Sequence, residues 1–279
     1  MNYSLYQTND KSFTLKNHTF DEHYHSNAGA WQEAQLKYFE GCKLLEKLES
    51  GSITIFEVGF GLGYNLIPIL NVFDQLKHKI TFISSEFDTA LFSKLSEQSE
   101  ELYPKTHLAF FQNLLNEKEY ISDALDIHIL EGDVRQSILS IEDQSIDAVF
   151  HDPFSPYKNT ECWTQEFFSE EFRILKSDGI LSTYSMSTPV RSGLFLAGFY
   201  VWEGIGDETK STGTLATKQL IEGVFPLPEK MKRKLTESPE RIPFRDSESR
   251  DLDRQEIKRI RNTKKEANDY SDCVRENDY

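Results

Sequence analysis

Cysteine is scarce: Cys42, Cys162 and Cys273 are the three among 279 residues. They are far apart, odd in number and never spaced CxxC, which argues against a disulfide framework and against a zinc site. His23 and His25 in HYHS have no neighbouring Cys or second cluster, so no metal is expected. No apolar run is long enough to cross a bilayer. MNYSLYQTNDK, at the start, lacks the apolar core of a signal peptide. The expectation is a soluble, cytoplasmic protein with no membrane partner. Internal repeats and low-complexity stretches are also missing.

Positive charge is in short supply. The net charge is −15, unusual for a nucleic-acid binder. Residues 1–228 sum to −16 and residues 229–279 to +1. Within that tail RQEIKRIRNTKK (254–265) holds six bases and one acid, and charge alone favours a solvated helix surface.

What is present is an alternation of short apolar runs and helical spacings. Ala34, Tyr38, Cys42, Leu45 and Leu48 share one helical face. ITIFEV (53–58), KITFISSE (79–86), DIHILEG (126–132), SIDAVFH (145–151) and GILSTYS (179–185) read as strands, with helical segments between them. FYVWEGI (199–205) and GTLATK (213–218) read as a closing antiparallel pair. The pattern predicts an α/β, Rossmann-like, mostly parallel seven-stranded sheet with a closing antiparallel strand. The expected organisation is an N-terminal segment 1–52 packing on the core, a central domain 53–222, and an appendage 223–279 with a disordered tip.

The first strand runs into Glu57-Val58-Gly59-Phe60-Gly61-Leu62-Gly63. A glycine turn at the carboxyl end of such a strand is where open α/β sheets bind nucleotides. The third glycine of G-x-G-x-x-G would fall on Tyr64, so the dinucleotide fingerprint fails. No GK[ST] follows either, which excludes a P-loop. The spacing E-x-G-x-G-x-G suits a ligand with a cationic head, and S-adenosylmethionine is preferred over NAD. Glu86 ends the second strand, where a ribose-binding carboxylate sits in this architecture. Asp133 follows the third, placed for an adenine amino group, although a strand-end acid is often an N-cap.

Asp152 follows the fourth strand in HDPFSPYKNTECWT. A carboxylate there can position an amine and take its proton. By itself the stretch reads equally well as a proline-stabilised turn.

Taken together, EVGFGLGYN, FISSEFD, GDV, VFHDPFSPYKNTECWT and LSTYSMSTPVRSGLFLAGF resemble one family. It is the methyltransferase half of the MnmC-type tRNA wobble-uridine modification proteins and their stand-alone relatives. The likeness runs from about Tyr24 to the GTLAT strand, and PLPEK and SPERIPFRD resemble the tail of those relatives. The resemblance implies methyl transfer from S-adenosylmethionine to the exocyclic amine of 5-aminomethyl-2-thiouridine in the anticodon region of tRNA. The product would be 5-methylaminomethyl-2-thiouridine. No flavin oxidase half is expected in this chain. Carried over, Glu57, Gly59, Gly61, Gly63 and Asn65 would shape the cofactor loop, Glu86 would hold the ribose and Asp133 the adenine. Asp152 would touch the cofactor site and deprotonate the amine. Tyr24, Phe154, Pro156, Lys158, Arg191 and Lys210 would serve the substrate, with Arg191 near a phosphate. Trp163 and Phe167 are expected in the core. Two features depart from the family: His151 and Pro153 in the turn, and Asp207 and Glu208 in a loop usually richer in bases. Two other readings compete, a small-amine methyl- or aminopropyltransferase of polyamine type and a non-catalytic module that binds the cofactor.

Overall fold

The first strands pair with one another rather than with the main sheet. In the computed structural model, which describes residues 2–25, 29–75, 77–206 and 212–275, β1 (Tyr3–Gln7), β2 (Phe13–Asn17) and β3 (Glu22–His23) form a small antiparallel sheet. Leu15 is its fully buried anchor. A helix, Ala30–Glu33, continues as a π-helical stretch, Ala34–Glu40, whose wider turn is closed by the Gly41 amide donating to Leu36 O. Such widened turns concentrate at functional sites.

The main sheet comprises β4 (Ile53–Val58), β5 (Ile80–Glu86), β6 (Glu119–Ile121), β7 (Leu125–Glu131), β8 (Ile146–His151), β9 (Leu175–Thr183), β10 (Tyr200–Glu203), β11 (Thr214–Thr217) and β12 (Phe225–Pro226). Their order is β12-β10-β11-β9-β8-β4-β5-β7-β6. The five central strands, β9 to β7, run parallel, and β11 and β10 close that side antiparallel. The seven strands expected from the sequence are all there. Among the described residues the sheet has nine, because β6 and β12 add short edges. Both were missed because runs of three and two residues leave almost no periodicity to read.

Strand β4 shows why the sheet is buried. Its apolar residues alternate between two cores: Ile55 packs with Tyr38, Phe82 and Phe150 on one face, Phe56 and Val58 with Trp163, Phe167 and Phe168 on the other. Trp163 and Phe167 are fully buried, as expected of core residues. Strand order reverses at β4, which lies between β5 and β8. The carboxyl ends of these strands therefore open a crevice at a topological switch point.

The C-terminal segment wraps the second core. Ile242, Phe244 and Ile257 are buried, each side chain contributing about 1.5–3 kcal/mol. Phe244 bridges Thr164 in parallel, and Arg245–Glu166 (2.6 Å) and Arg250–Glu170 (2.5 Å) tie the segment to the helix Gln165–Ile174. Towards the end of the described residues, Cys273 and Val274 are buried. The three cysteines are free and buried. No described helix is long and apolar enough to cross a membrane.

Candidate active site

A cavity of about 680 Å³ opens at the carboxyl ends of β4, β5, β7 and β8. That is within the usual range for cofactor sites. Its walls come from four sources: the glycine turn, the turn after β8, the N-terminal sheet with its helix, and the C-terminal segment. Asp21, Glu22, Glu33, Glu86, Asp88, Asp133, Asp152, Glu161, Asp251 and Asp253 all line it, against Arg135 and Arg254. Such a wall favours a cationic guest.

The glycine turn is a backbone cradle. Gly59 has φ +89°, and a Cβ there would lie 2.9 Å from the Asp152 carbonyl oxygen. Only a residue without a side chain lets the turns after β4 and β8 come this close. Gly61, at φ +53°, faces the cavity, and its amide donates to Glu86 Oε2 (2.9 Å). Glu86 Oε1 accepts from the Asp88 amide (2.7 Å). Burial pushes the Glu86 carboxyl up to about 7, against those amide donors.

Asp152 is held from both sides. Tyr38 Oη donates to its Oδ1 at 2.5 Å, and Asn65 Nδ2 donates to its Oδ2 at 3.0 Å. Burial, and then the negative charge of Glu33, raise its carboxyl to about 7, while the Tyr38 and Asn65 bonds and Lys37 pull the other way. A carboxylate poised there can accept a proton near neutral pH. The Asn65 amide also donates to Glu57 Oε1 (2.8 Å), and Ser84 Oγ donates to Glu57 Oε2 (2.5 Å). Glu57 is fully buried, and desolvation raises it to about 8.

The residues expected from the sequence divide accordingly. Gly59, Gly61, Glu86, Asp133, Asp152, Tyr24 and Phe154 line the cavity. Glu57, Gly63 and Asn65 do not. They stand behind it, where Asn65 bridges Glu57 to Asp152 and Gly63 (φ +72°) leaves room for the Phe60 ring. Asp133 caps the short helix Val134–Ser137 by accepting from the Arg135 amide (2.9 Å), so the capping and cavity readings hold together. Phe20 stacks on Phe154 and Tyr24 packs against it at a tilt, with ring centroids 4.8 and 4.7 Å apart.

Three of the described substrate residues expected from the sequence are not on the cavity wall. Arg191 is 1% exposed, and its Nε and Nη2 donate to Thr214 Oγ1 and Gly213 O (both 2.8 Å). In this structure it pins β11 and is not part of the cavity wall. Pro156 is buried and off the cavity wall. Lys158 is off the wall too, paired with Asp21 at 3.5 Å. Lys210, with Asp207 and Glu208, lies outside the described residues. In the basic tail, Arg254, Arg259, Arg261, Lys264 and Lys265 are each in an ion pair, which blunts that stretch as a phosphate-binding face.

The two departures in the turn have local partners. Pro153 lines the cavity, and its carbonyl accepts from Tyr184 Oη (2.9 Å). His151 is fully buried with Nδ1 2.7 Å from Glu171 Oε1, and its ring meets Trp163 edge-on at 4.4 Å. Trp163 Nε1 in turn donates to Phe154 O (2.9 Å), so this core pair backs the cavity wall.

Sequence reasoning missed Tyr38, Glu33, Glu22, Arg135, Tyr184 and Arg254. Tyr38 sat in an apolar helical stripe and read as core. Its hydroxyl was the available signal, because a buried tyrosine needs a hydrogen-bond partner.

Comparison with known proteins agrees with this geometry. Residues 93–219 match the family described as S-adenosyl-L-methionine-dependent methyltransferase. The crystal structure of MnmC2 from Aquifex aeolicus is similar at a TM-score of 0.83 and 34% identity, covering 95% of this chain and 85% of that one. An uncharacterised protein of Methanocaldococcus jannaschii is 30% identical over 215 residues, 77% of this chain. The chain spans 59% of the length of that relative. The family match and the likeness to MnmC2 place the chain among the S-adenosylmethionine-dependent methyltransferases, with S-adenosylmethionine as the cofactor. Within that class, the chain belongs to the MnmC-type methyltransferase family.

The cavity fits this cofactor on its own chemistry. The glycine cradle gives backbone access, and Glu86 and Asp133 stand at the ends of successive strands. The carboxylate wall suits an ammonium and a sulfonium.

Proposed function

We propose that this protein methylates the exocyclic amine of 5-aminomethyl-2-thiouridine at the wobble position of tRNA, in the cytoplasm, giving 5-methylaminomethyl-2-thiouridine. The observation that carries this is the placement of Asp152. It is a strand-end carboxylate raised to about 7 and fixed by Tyr38 and Asn65 in an acidic cavity. The likeness to Aquifex MnmC2 supports the choice of tRNA.

When bound, S-adenosylmethionine supplies the electrophilic methyl group. Glu86 and Asp133 would hold it by its hydroxyl and amino donors, and the Gly59–Gly61 backbone would leave it room. Asp152 does the protein's share of the chemistry. An ordinary alkylamine is protonated at pH 7 and has no free lone pair. Asp152 accepts that proton and leaves the nitrogen lone pair free to attack. Tyr38 and Asn65 hold the carboxylate in one orientation, which confers the advantage of positioning. Phe154, Phe20 and Tyr24 form an aromatic ledge on which a flipped-out base can stack.

The test is incubation with methyl-labelled S-adenosylmethionine and tRNA bearing the aminomethyl group, followed by nucleoside mass spectrometry. Label in the wobble nucleoside is expected. Label in free diamines without RNA would instead favour the polyamine-type reading, and binding without transfer to either would favour the non-catalytic one.

A further inference from the structure

Methylating an amine that arrives as an ammonium makes two electrostatic demands on one wall. First a proton must leave nitrogen. Then, as the new bond forms, nitrogen becomes positive again. A carboxylate that has taken the proton is neutral and cannot answer the second demand, so a second carboxylate beside it is called for.

Glu33 stands in that place. It lines the cavity together with Asp152 and Tyr184. It lies one helical turn before Tyr38, whose hydroxyl grips Asp152. Its side chain is 18% exposed, and its Oε1 is paired with Lys37 Nζ at 3.3 Å. Its negative charge raises the Asp152 carboxyl and the Tyr38 and Tyr184 hydroxyls. Glu22, the other acid on this side, is committed to the turn: it accepts from the Ser155 amide (3.2 Å) and hydroxyl (2.8 Å).

We propose that Glu33 is a second amine-binding carboxylate, which serves as counter-ion to the reacting nitrogen while Asp152 holds the proton. The inference rests on the amine-methylation reading above. The balance is as follows. The ammonium gives one proton to Asp152. The nitrogen lone pair forms the N–C bond as the C–S bond of the sulfonium donor breaks, its electron pair remaining on sulfur. The product leaves as a secondary ammonium beside Glu33, and Asp152 releases its proton to solvent. Preorganised charge aimed at the developing cation lowers the barrier without reorganisation at the moment of transfer.

The geometry also sets a pH signature. Asp152 is faced by Glu33, Lys37 and Tyr38 from the helical segment, by Asn65 and Glu57 from behind the glycine turn, and by Tyr184 from beyond β9. Glu33 raises the Asp152 carboxyl and Lys37 lowers it. Glu33→Gln therefore moves its titration to lower pH and Lys37→Met moves it to higher pH.

The experiment uses the full chain with S-adenosylhomocysteine bound. It measures the affinity for two anticodon stem-loops, one with 5-aminomethyl-2-thiouridine and one with 2-thiouridine. It also follows the Asp152 carboxyl by carbon-13 NMR, and turnover with S-adenosylmethionine. For Glu33→Gln the preference for the aminomethyl stem-loop should fall about 10-fold or more, as for loss of a charge-assisted contact. Turnover should fall, affinity for S-adenosylhomocysteine should hold, and the two NMR shifts should run in opposite directions for Glu33→Gln and Lys37→Met. Glu33→Asp should restore part of the preference, which a purely helix-stabilising residue would not do. A Glu33→Gln protein that keeps both preference and turnover overturns the proposal. Wild-type protein that binds S-adenosylhomocysteine yet methylates no aminomethyl RNA overturns the parent reading and this one with it.

Discussion

Replacing Tyr38 by Phe removes one oxygen and leaves the ring in place. That oxygen donates to Asp152 Oδ1 at 2.5 Å from a fully buried side chain. A hydrogen bond to a charged group contributes about 1.5–3 kcal/mol. Here it favours the ionised carboxylate, so its loss raises Asp152 above its starting value of about 7. At 1.36 kcal/mol per unit, the rise is roughly one to two units. Asp152 must be ionised to accept the amine proton, so the acid limb of kcat/KM should move to higher pH by that amount. At pH 7 turnover should drop about 5- to 50-fold, and much of it should return near pH 9. The bound sulfonium lowers the starting point for wild type and variant alike, so the direction is unchanged. The assay is a pH–rate profile of methyl transfer to aminomethyl tRNA. An acid limb that stays put, or a loss equal at every pH, would refute the role given to this hydroxyl.

Other outcomes follow from the same geometry. Asp152→Asn should lower kcat by about 10²–10⁴ while S-adenosylhomocysteine affinity, read by calorimetry, changes little; equal loss in both would contradict its role as base. Gly59→Ala forces a Cβ to 2.9 Å from Asp152 O at φ +89°, a strain of about 1–3 kcal/mol that should weaken cofactor binding more than it lowers the melting temperature. Glu57, raised to about 8, is protonated in the fold and ionised in the unfolded chain between its ordinary carboxyl range and that value. Its contribution therefore falls as pH rises through that window, and urea unfolding of Glu57→Gln at pH 5.5, 7 and 8.5 should show a smaller decline than wild type. Glu171→Ala should destabilise the chain by about 1–3 kcal/mol in denaturant, because the His151 ring nitrogen is left buried without its partner.

The α/β alternation, the glycine turn and the strand-end acids Glu86, Asp133 and Asp152 were legible from sequence because they rest on local physics. Strand and helix periods are properties of neighbouring residues, and a glycine at positive φ or an acid after a strand marks its own position. Family likeness reached the reaction class for the same reason, since its motifs are short and contiguous. Tertiary structure decided which of these residues touch. Tyr38 and Asp152 are 114 positions apart, and no periodicity could pair them. Glu57 and Asn65 belong to the glycine motif yet stand behind the cavity, because alternation on β4 and the start of the next helix turn them inward. Arg191 looked like a phosphate ligand in sequence, but its helix packs so that the guanidinium meets Gly213 and Thr214 instead. The C-terminal segment read as an appendage with a solvated basic stretch; tertiary structure decided that its bases find acids and that Asp251, Asp253 and Arg254 wall the site. A residue's type sets what chemistry it can offer; the sheet order and the closing of chain ends over it set whether that chemistry meets a partner, a core or a ligand.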